Sequence, residues 1–526
     1  MRKQYLIFLG IFITLLPILI FRDYTPNNEL KYLSIAEENI RNGNIFAFYN
    51  HGEPYADKPP LYLWIVTLGK LLFGKHVMFF LSLFSLVPAF ITAGIMNRWV
   101  RQERNTDESL CTMMLMSSAF FLASAVVLRM DMLMTMFITL ALYTFYRMYR
   151  YNNKGTGARI LYNRWRTLLP VYTFLAIFTK GAVGIMVPLM SVTVFLLLNG
   201  KLRTIGKYLG WRFWGILAAL CGTWFTCVFL DGGTEYLNNL LFNQAINRAV
   251  NSFHHKEPFW YYGITYWYAI APWSIITAVA IVIGFAKGLV KGDLLRFFAV
   301  ASLGTIVMMS FVSSKIVIYL LPAFPFLLYF GAMLIQEIGN SKWLSASVII
   351  PAAIFILAQG AAVYAHNTGM VPFQLHAPVY VYTLILFVGG VLAIYYIWRK
   401  DISRAIIAVS TSMFVLFFAA GFSIGKLNDL LGVKNATDYA KEQMEYLEGQ
   451  NGQQPRVMYY DFRSGENLDV YFGHHVDELE KEDLATAENM VLIVKEKRFS
   501  RDSLLNASLG DKPRKLFGEV AIVTVK

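Results

Sequence analysis

Apolar residues in this chain come in long unbroken runs rather than in alternation or along one helical face. Runs able to cross a bilayer, which takes about 20 helical residues, recur from Leu6–Ile20 through Val77–Met96 and Leu110–Val127 to about Phe422. The pattern predicts spans near 4–21, 77–96, 110–127, 132–149, 168–179, 182–198, 212–230, 264–286, 296–312, 316–336, 343–364, 378–397 and 404–423. A further run from Pro60 to Phe73 is too short for a span. It opens on Lys58-Pro59-Pro60, where proline favours a turn before a new helix, and is expected to lie on the outer membrane surface. After Phe422 the chain turns charged and polar. Thr437–Leu447 has the pattern of an amphipathic helix, and Arg456–Asp461, Met490–Lys495 and Val520–Val525 have that of short strands. The predicted fold class is an all-α polytopic membrane protein of about thirteen transmembrane helices with a small C-terminal α/β soluble domain. The transmembrane domain covers 1–425, with an outer loop over 22–76, and the soluble domain covers 434–526.

Composition narrows this picture. Of 526 residues, 56% are hydrophobic and only 15% charged, which excludes an ordinary soluble protein. The net charge of +13 sits in short loops between spans, so topology explains it better than nucleic-acid binding does. With a cytoplasmic N-terminus, the inside segments carry about twenty-two Lys/Arg against about six Asp/Glu, a strong positive-inside bias. That orientation puts the C-terminal domain outside, in the periplasm of a Gram-negative cell, and the spans in the inner membrane. The opening Met1-Arg2-Lys3 and its apolar run lack a small-residue cleavage site before Arg22-Asp23, so the run is expected to be a retained span. Cys111, Cys221 and Cys227 lie in apolar segments without metal-ligand spacing and are expected to be packing residues.

The unusual polar residues gather on the predicted outer side. The first loop contains Asn28-Glu29-Leu30-Lys31-Tyr32, then a helix over Tyr32–Asn42 with Leu33, Ala36 and Ile40 on one face and Glu37, Glu38 and Arg41 on the other, and then Asp57-Lys58. Arg129-Met130-Asp131 precedes the fourth span, Lys180-Gly181 interrupts an apolar stretch, and Lys315 stands four residues before Tyr319. Ionisable groups in or beside the apolar zone are expensive and therefore functional candidates, although a snorkelling lysine is the plain alternative for each. In the Asp231–Tyr262 loop, Arg248, His254-His255 and Phe259-Trp260 stand out. Adjacent histidines beside Glu257 could bind a divalent metal, but their spacing does not make them converge, and the sequence identifies no other cofactor. The aromatics suit a membrane-interface belt or a surface for a sugar or lipid. Cations near carboxylates at a membrane face suit a lipid-borne phosphate with acid–base groups beside its bond to a sugar. No Walker-type loop or dinucleotide fingerprint is present in the sequence.

These motifs, in order from Met1 to about Pro325, together with Pro258-Phe259-Trp260-Tyr261-Tyr262 and Tyr319-Leu320-Leu321-Pro322, resemble the bacterial lipid A aminoarabinose transferases and the related protein O-mannosyltransferases, which are GT-C glycosyltransferases. The resemblance implies transfer of a sugar, with inversion, from a polyprenyl-phosphate donor to lipid A, another envelope glycan or a protein. It implies an acid/base or acceptor-orienting role among Asn28, Glu29, Asp57 and Asp131. Donor-phosphate binding would fall to Lys31, Tyr32, Lys58, Lys180, Arg248, Lys315 and Tyr319, and substrate contact to His255 and Trp260. Where the family usually has Asp-Glu, this chain has Asn28-Glu29. Asparagine is no base, so Glu29 or Asp57 inherits that role. A lipid-linked-glycan flippase and a non-catalytic lipid-phosphate sensor are the alternative readings.

Overall fold

A computed structural model of the chain describes residues 2–104, 106–151, 156–241, 256–371 and 375–526. Every predicted span coincides with helix: α1 (Arg2–Phe21), α4 (Met78–Glu103), α5 (Glu108–Met116) with α6 (Ala119–Val126), α7 (Asp131–Arg150), α8 (Thr156–Lys180), α9 (Val183–Leu198), α10 (Trp211–Asn238), α11 (Tyr261–Ala269) with α12 (Ser274–Ala286), α13 (Asp293–Ser310), α14 (Phe324–Ile338), α15 (Lys342–Asn367), α16 (His376–Trp398) and α17 (Ile402–Gly421). Between them lie α2 (Lys31–Asn42) and α3 (Leu61–Phe73). Among the described residues, eight helices are long and apolar enough to cross a membrane, or up to ten if each bent pair is one span. The chain is a multi-span membrane protein, and a count of thirteen exceeds what length and composition support.

Two predicted straight spans are bent: α5 and α6 meet at 70°, α11 and α12 at 116°. A break inside a membrane frees backbone groups that need partners. At the first break, Ser117 Oγ donates to Met113 O at 2.5 Å and Ser118 Oγ to Leu115 O at 2.9 Å. Trp273, beside the second break, donates its indole N–H to Ser117 Oγ at 2.9 Å, so one serine joins both.

The chain forms two compact units, the first comprising Met1–Leu16, Ala56–Tyr62 and Ser82–Ala420. Within it, α14 is enclosed by its neighbours. It packs closely on α12 because Gly331 carries no side chain; a Cβ there would stand 2.8 Å from Thr277 Cγ2. Trp99 of α4 is fully buried, its ring 5.1–6.1 Å from those of Tyr143, Tyr146, Phe297, Phe298 and Phe326. Each such aromatic pair adds about 0.5–1.5 kcal/mol beyond burial.

The second unit comprises Pro17–Tyr55, Leu63–Leu81 and Gly421–Lys526. The amphipathic C-terminal segment is helix α18 (Lys434–Asn451) and the three predicted strands are present as β3 (Arg456–Tyr460), β5 (Met490–Lys495) and β7 (Val520–Val525). Two more strands, β4 (Asp477–Glu478) and β6 (Arg514–Phe517), complete a sheet of order β4-β3-β5-β7-β6, with β3 parallel to β4 and β5 and the remaining pairs antiparallel. Loop and C-terminal segment share polar contacts in this unit. Buried Asp23 accepts hydrogen bonds from the backbone N–H groups of Val433 and Lys434 at 3.0 and 2.9 Å, at the start of α18, and from the Tyr471 hydroxyl at 2.9 Å. A carboxylate suits a helix start because the first N–H groups there lack intrahelical partners.

The α2 prediction holds for position and for its apolar face, but not for the polar one. Glu38 is buried, its two oxygens accepting the backbone N–H groups of His51 and Gly52 at 2.6 and 2.9 Å in the turn between strands β1 (Tyr49–Asn50) and β2 (Glu53–Pro54). His51 and Gly52 both have positive φ, 57° and 81°, as a tight primed hairpin turn requires. Glu37 meets Lys70 at 2.6 Å and His76 at 3.1 Å. Burial alone would raise its pKa, but the hydrogen bonds and charges of His76 and Lys70 win and lower it from 4.5 to about 2. A carboxylate whose folded pKa lies below the unfolded value stabilises the fold above the unfolded pKa and loses that contribution on acidification. The α2–α3 attachment should therefore weaken as pH falls from about 4.5 towards about 2. Amide exchange over 31–76 should accelerate across that window in the native chain. In Glu37→Gln it should be fast already at pH 6, with little further change on acidification.

Candidate functional site

In the first unit, three of the sequence candidates beyond the loop, Asp131, Lys180 and Tyr319, come together. Asp131 opens α7 with a carboxylate only 1% exposed, hydrogen-bonded to Lys180 Nζ and held from the other side by Arg129 Nε at 3.1 Å. Lys180 closes α8, its side chain 6% exposed, and its ammonium also lies 4.9 Å from the centre of the Tyr319 ring. Lys180, distant in sequence, thus joins the Arg129–Asp131 pair in one ionic cluster. Arg129 is fixed through its backbone, because Ser85 Oγ of α4 donates to the carbonyls of Val127 and Arg129 at 2.7 and 3.3 Å. Burying charge is tolerable only when pairing and hydrogen bonds replace water, which this arrangement supplies.

Asp57 and Lys58 form the second element. Lys58 Nζ donates to Asp57 Oδ2 at 2.6 Å, and both side chains remain about one-fifth exposed, at 19% and 21%. Asp57 and Lys58 belong to the same unit as the helix-end cluster. Lys315 is the third element, 4% exposed, donating to the Glu257 carbonyl at 2.8 Å beside a bridge between Lys256 and Ser314. Tyr262 is fully buried, with its hydroxyl 3.4 Å from Ile316 O, and Trp260 is 65% exposed. Arg248, His254 and His255 lie outside the described residues. Among the described residues, no group of three or more His, Cys, Asp or Glu side chains could hold a metal ion. All three cysteines are free; Cys111 is buried and Cys221 and Cys227 half-buried.

The remaining candidates belong to the second unit. Asn28 is exposed in the turn Pro26–Leu30. Glu29 is fully buried in a bidentate pair with Arg22, at 2.6 and 2.8 Å, and also accepts the Thr25 backbone N–H at 2.8 Å and its hydroxyl at 3.1 Å. A carboxylate so engaged is a clamp on the loop's entry. This pairing is invisible to a reading of the chain alone, because Arg22 reads as the end of a span. Lys31 lies 4.8 Å from the Tyr55 ring centre, and Tyr32 is buried in α2.

The first unit therefore presents a partly exposed carboxylate paired with an ammonium, together with a buried cluster in which Asp131 fixes two cations. Such an array can receive a dianionic phosphate and activate a hydroxyl next to it.

Residues 57–224 match the family of dolichyl-phosphate-mannose-protein mannosyltransferases. The chain is 26% identical over 371 residues to an uncharacterized protein of Aquifex aeolicus, covering 68% of this chain and 69% of that one. It is 25% identical over 362 residues to the undecaprenyl phosphate-alpha-4-amino-4-deoxy-L-arabinose arabinosyl transferase of Shewanella sediminis, covering 67% and 64%. The chain thus spans about two thirds of the length of the curated relatives it matches. In fold it is similar to ArnT from Cupriavidus metallidurans bound to undecaprenyl phosphate, with a TM-score of 0.75 at 15% identity over 99% of this chain and 97% of that one.

Proposed function

We propose that this chain, a GT-C glycosyltransferase of the aminoarabinose-transferase and protein-mannosyltransferase type, moves a sugar from a polyprenyl-phosphate donor to an envelope acceptor: lipid A, another glycan or a protein. The observation that carries the reading is the partly exposed Asp57–Lys58 pair in the same unit as the buried Asp131–Lys180–Arg129 cluster. The acceptor hydroxyl attacks the anomeric carbon while Asp57 takes its proton. The carbon–oxygen bond to phosphate breaks, and the polyprenyl phosphate leaves with the bonding electrons. Lys58 and Lys180 stabilise the charge that grows on the leaving phosphate, where preorganised cations matter most. Asp131, Arg129 and Tyr319 hold Lys180 in place, and Lys315 adds a further cation. Inversion at the anomeric carbon follows the family resemblance. The excess of basic residues in alternate loops supports a cytoplasmic N-terminus, with this site on the outer face of the inner membrane.

Binding of undecaprenyl phosphate and of uncharged undecaprenol to the protein in nanodiscs tests the phosphate assignment. Lys58→Ala should weaken binding of the phosphate by at least about tenfold, in line with the loss of a charge-assisted contact, and leave binding of the alcohol unchanged. Equal phosphate affinity in wild type and variant would remove Lys58 from the site.

A further inference from the structure

The five-stranded sheet of the second unit borders a basic cavity whose lining shares no residue with the proposed transfer site. Strands β3 and β5 are parallel neighbours, and ligands of α/β sheets gather at the carboxyl ends of such strands. Here those ends open on a cavity of about 390 Å³, a volume suited to a small ligand. Five cations line it: Arg463 after β3, and Lys495, Lys497, Arg498 and Arg501 at or after β5. Asp461, Glu466 and Glu478 also line it, so positive charge is in excess.

The partners divide these cations into two groups. Arg498 is held by Asp461 at 2.8 Å, and Lys495 and Lys497 share Glu519 at 3.5 and 3.8 Å. Arg463 and Arg501 make no ion pair with a carboxylate among the described residues, and both are exposed. Two guanidinium forks are thus left facing a cavity whose other cations are already fixed. The β3 exit is shaped unusually: Asp461 and Ser464 are non-glycine residues with φ of 42° and 63°, a conformation that needs surrounding structure to hold it. Ser464 adds a hydroxyl able to meet a sugar hydroxyl, and the buried Tyr459 and Phe462 add only a narrow apolar margin to the lining.

We propose that this cavity binds a phosphoryl group carried on a sugar, with Arg463 and Arg501 as the forks that grip the phosphate. Arginine matches phosphate oxygens two at a time, and these two forks are the lining cations that no carboxylate pairs among the described residues. The inference does not depend on the transfer reaction, and its test is a binding measurement. The full chain in nanodiscs is titrated by calorimetry with glucose 1-phosphate, inorganic phosphate and glucose, and separately with liposomes bearing a phosphorylated glucosamine-disaccharide lipid. Glucose 1-phosphate should bind with an affinity that falls as salt rises, and glucose should not bind. Arg463→Glu with Arg501→Glu should weaken binding at least tenfold, and Arg463→Gln with Arg501→Gln by less, with thermal midpoints unchanged because both side chains are exposed. Binding more than tenfold tighter to the lipid than to glucose 1-phosphate would assign the cavity to a membrane-borne headgroup; equal or weaker binding would assign it to a free sugar phosphate. Binding that survives charge reversal, glucose binding as well as its phosphate, or no binding of either phosphate carrier would overturn the proposal.

Discussion

Asp57→Asn is expected to abolish most sugar transfer while leaving the donor bound. Asparagine is nearly isosteric and can still accept a hydrogen bond from Lys58, so the loop geometry should persist. What disappears is the ability to accept a proton. A positioned general base contributes about 10²- to 10⁴-fold to a rate, and the turnover number should drop by that order. Affinity for undecaprenyl phosphate should change by less than about threefold, since the cations that hold phosphate remain. Glu29→Gln makes the contrast. Glu29 is fully buried and bound to Arg22 and Thr25, so its substitution should lower the thermal midpoint first, with any activity loss following from misfolding. The opposite pattern, a stable Glu29→Gln protein without transfer and an active Asp57→Asn, would exchange their roles.

The second large effect concerns the cluster of Asp131, Lys180 and Arg129. Removing one partner of a buried ion pair costs about 3–5 kcal/mol because the other charge is left without compensation, whereas replacing both partners by apolar residues can be close to neutral. Asp131→Leu strands Lys180 against the Tyr319 ring, with its side chain 6% exposed, and should lower thermal stability in detergent sharply. Asp131→Leu combined with Lys180→Met should recover most of that stability. The recovered protein should still fail to bind donor phosphate tightly, because the cation is gone. Stability regained together with full donor binding would show that Lys180 serves only the fold.

Much of this architecture was readable from the sequence, and the reasons are physical. Apolar run length reports membrane-spanning helices directly, which is why all predicted spans fall on helices. The bends at Ser117-Ser118 and before Ser274 were invisible because hydropathy is blind to direction, and serine hydroxyls can meet the freed carbonyls without interrupting the run. Ionisable residues within apolar runs gave away Asp131, Lys180 and Lys315, although not that Lys180 would sit between a carboxylate and a tyrosine ring. The engagement of Glu29 with Arg22 was hidden because its partner is seven residues away across an irregular turn that no helical or strand period predicts. In the C-terminal segment, the apolar strands β5 and β7 announced themselves, whereas β6, with Arg514 and Lys515 in a four-residue edge strand, did not. The Arg463–Arg501 pair was equally hidden. Only the parallel pairing of β3 with β5 brings those two segments to one edge.

The most direct test of the account is transfer itself. Purified protein in nanodiscs would be supplied with radiolabelled sugars on undecaprenyl phosphate and with a panel of lipid A, glycan and protein acceptors, and the label followed into acceptor as undecaprenyl phosphate is released. The account predicts stoichiometric transfer from at least one donor, lost in Asp57→Asn. Donors that bind tightly while no label reaches any acceptor would contradict it and favour a lipid-linked-glycan flippase or a lipid-phosphate sensor.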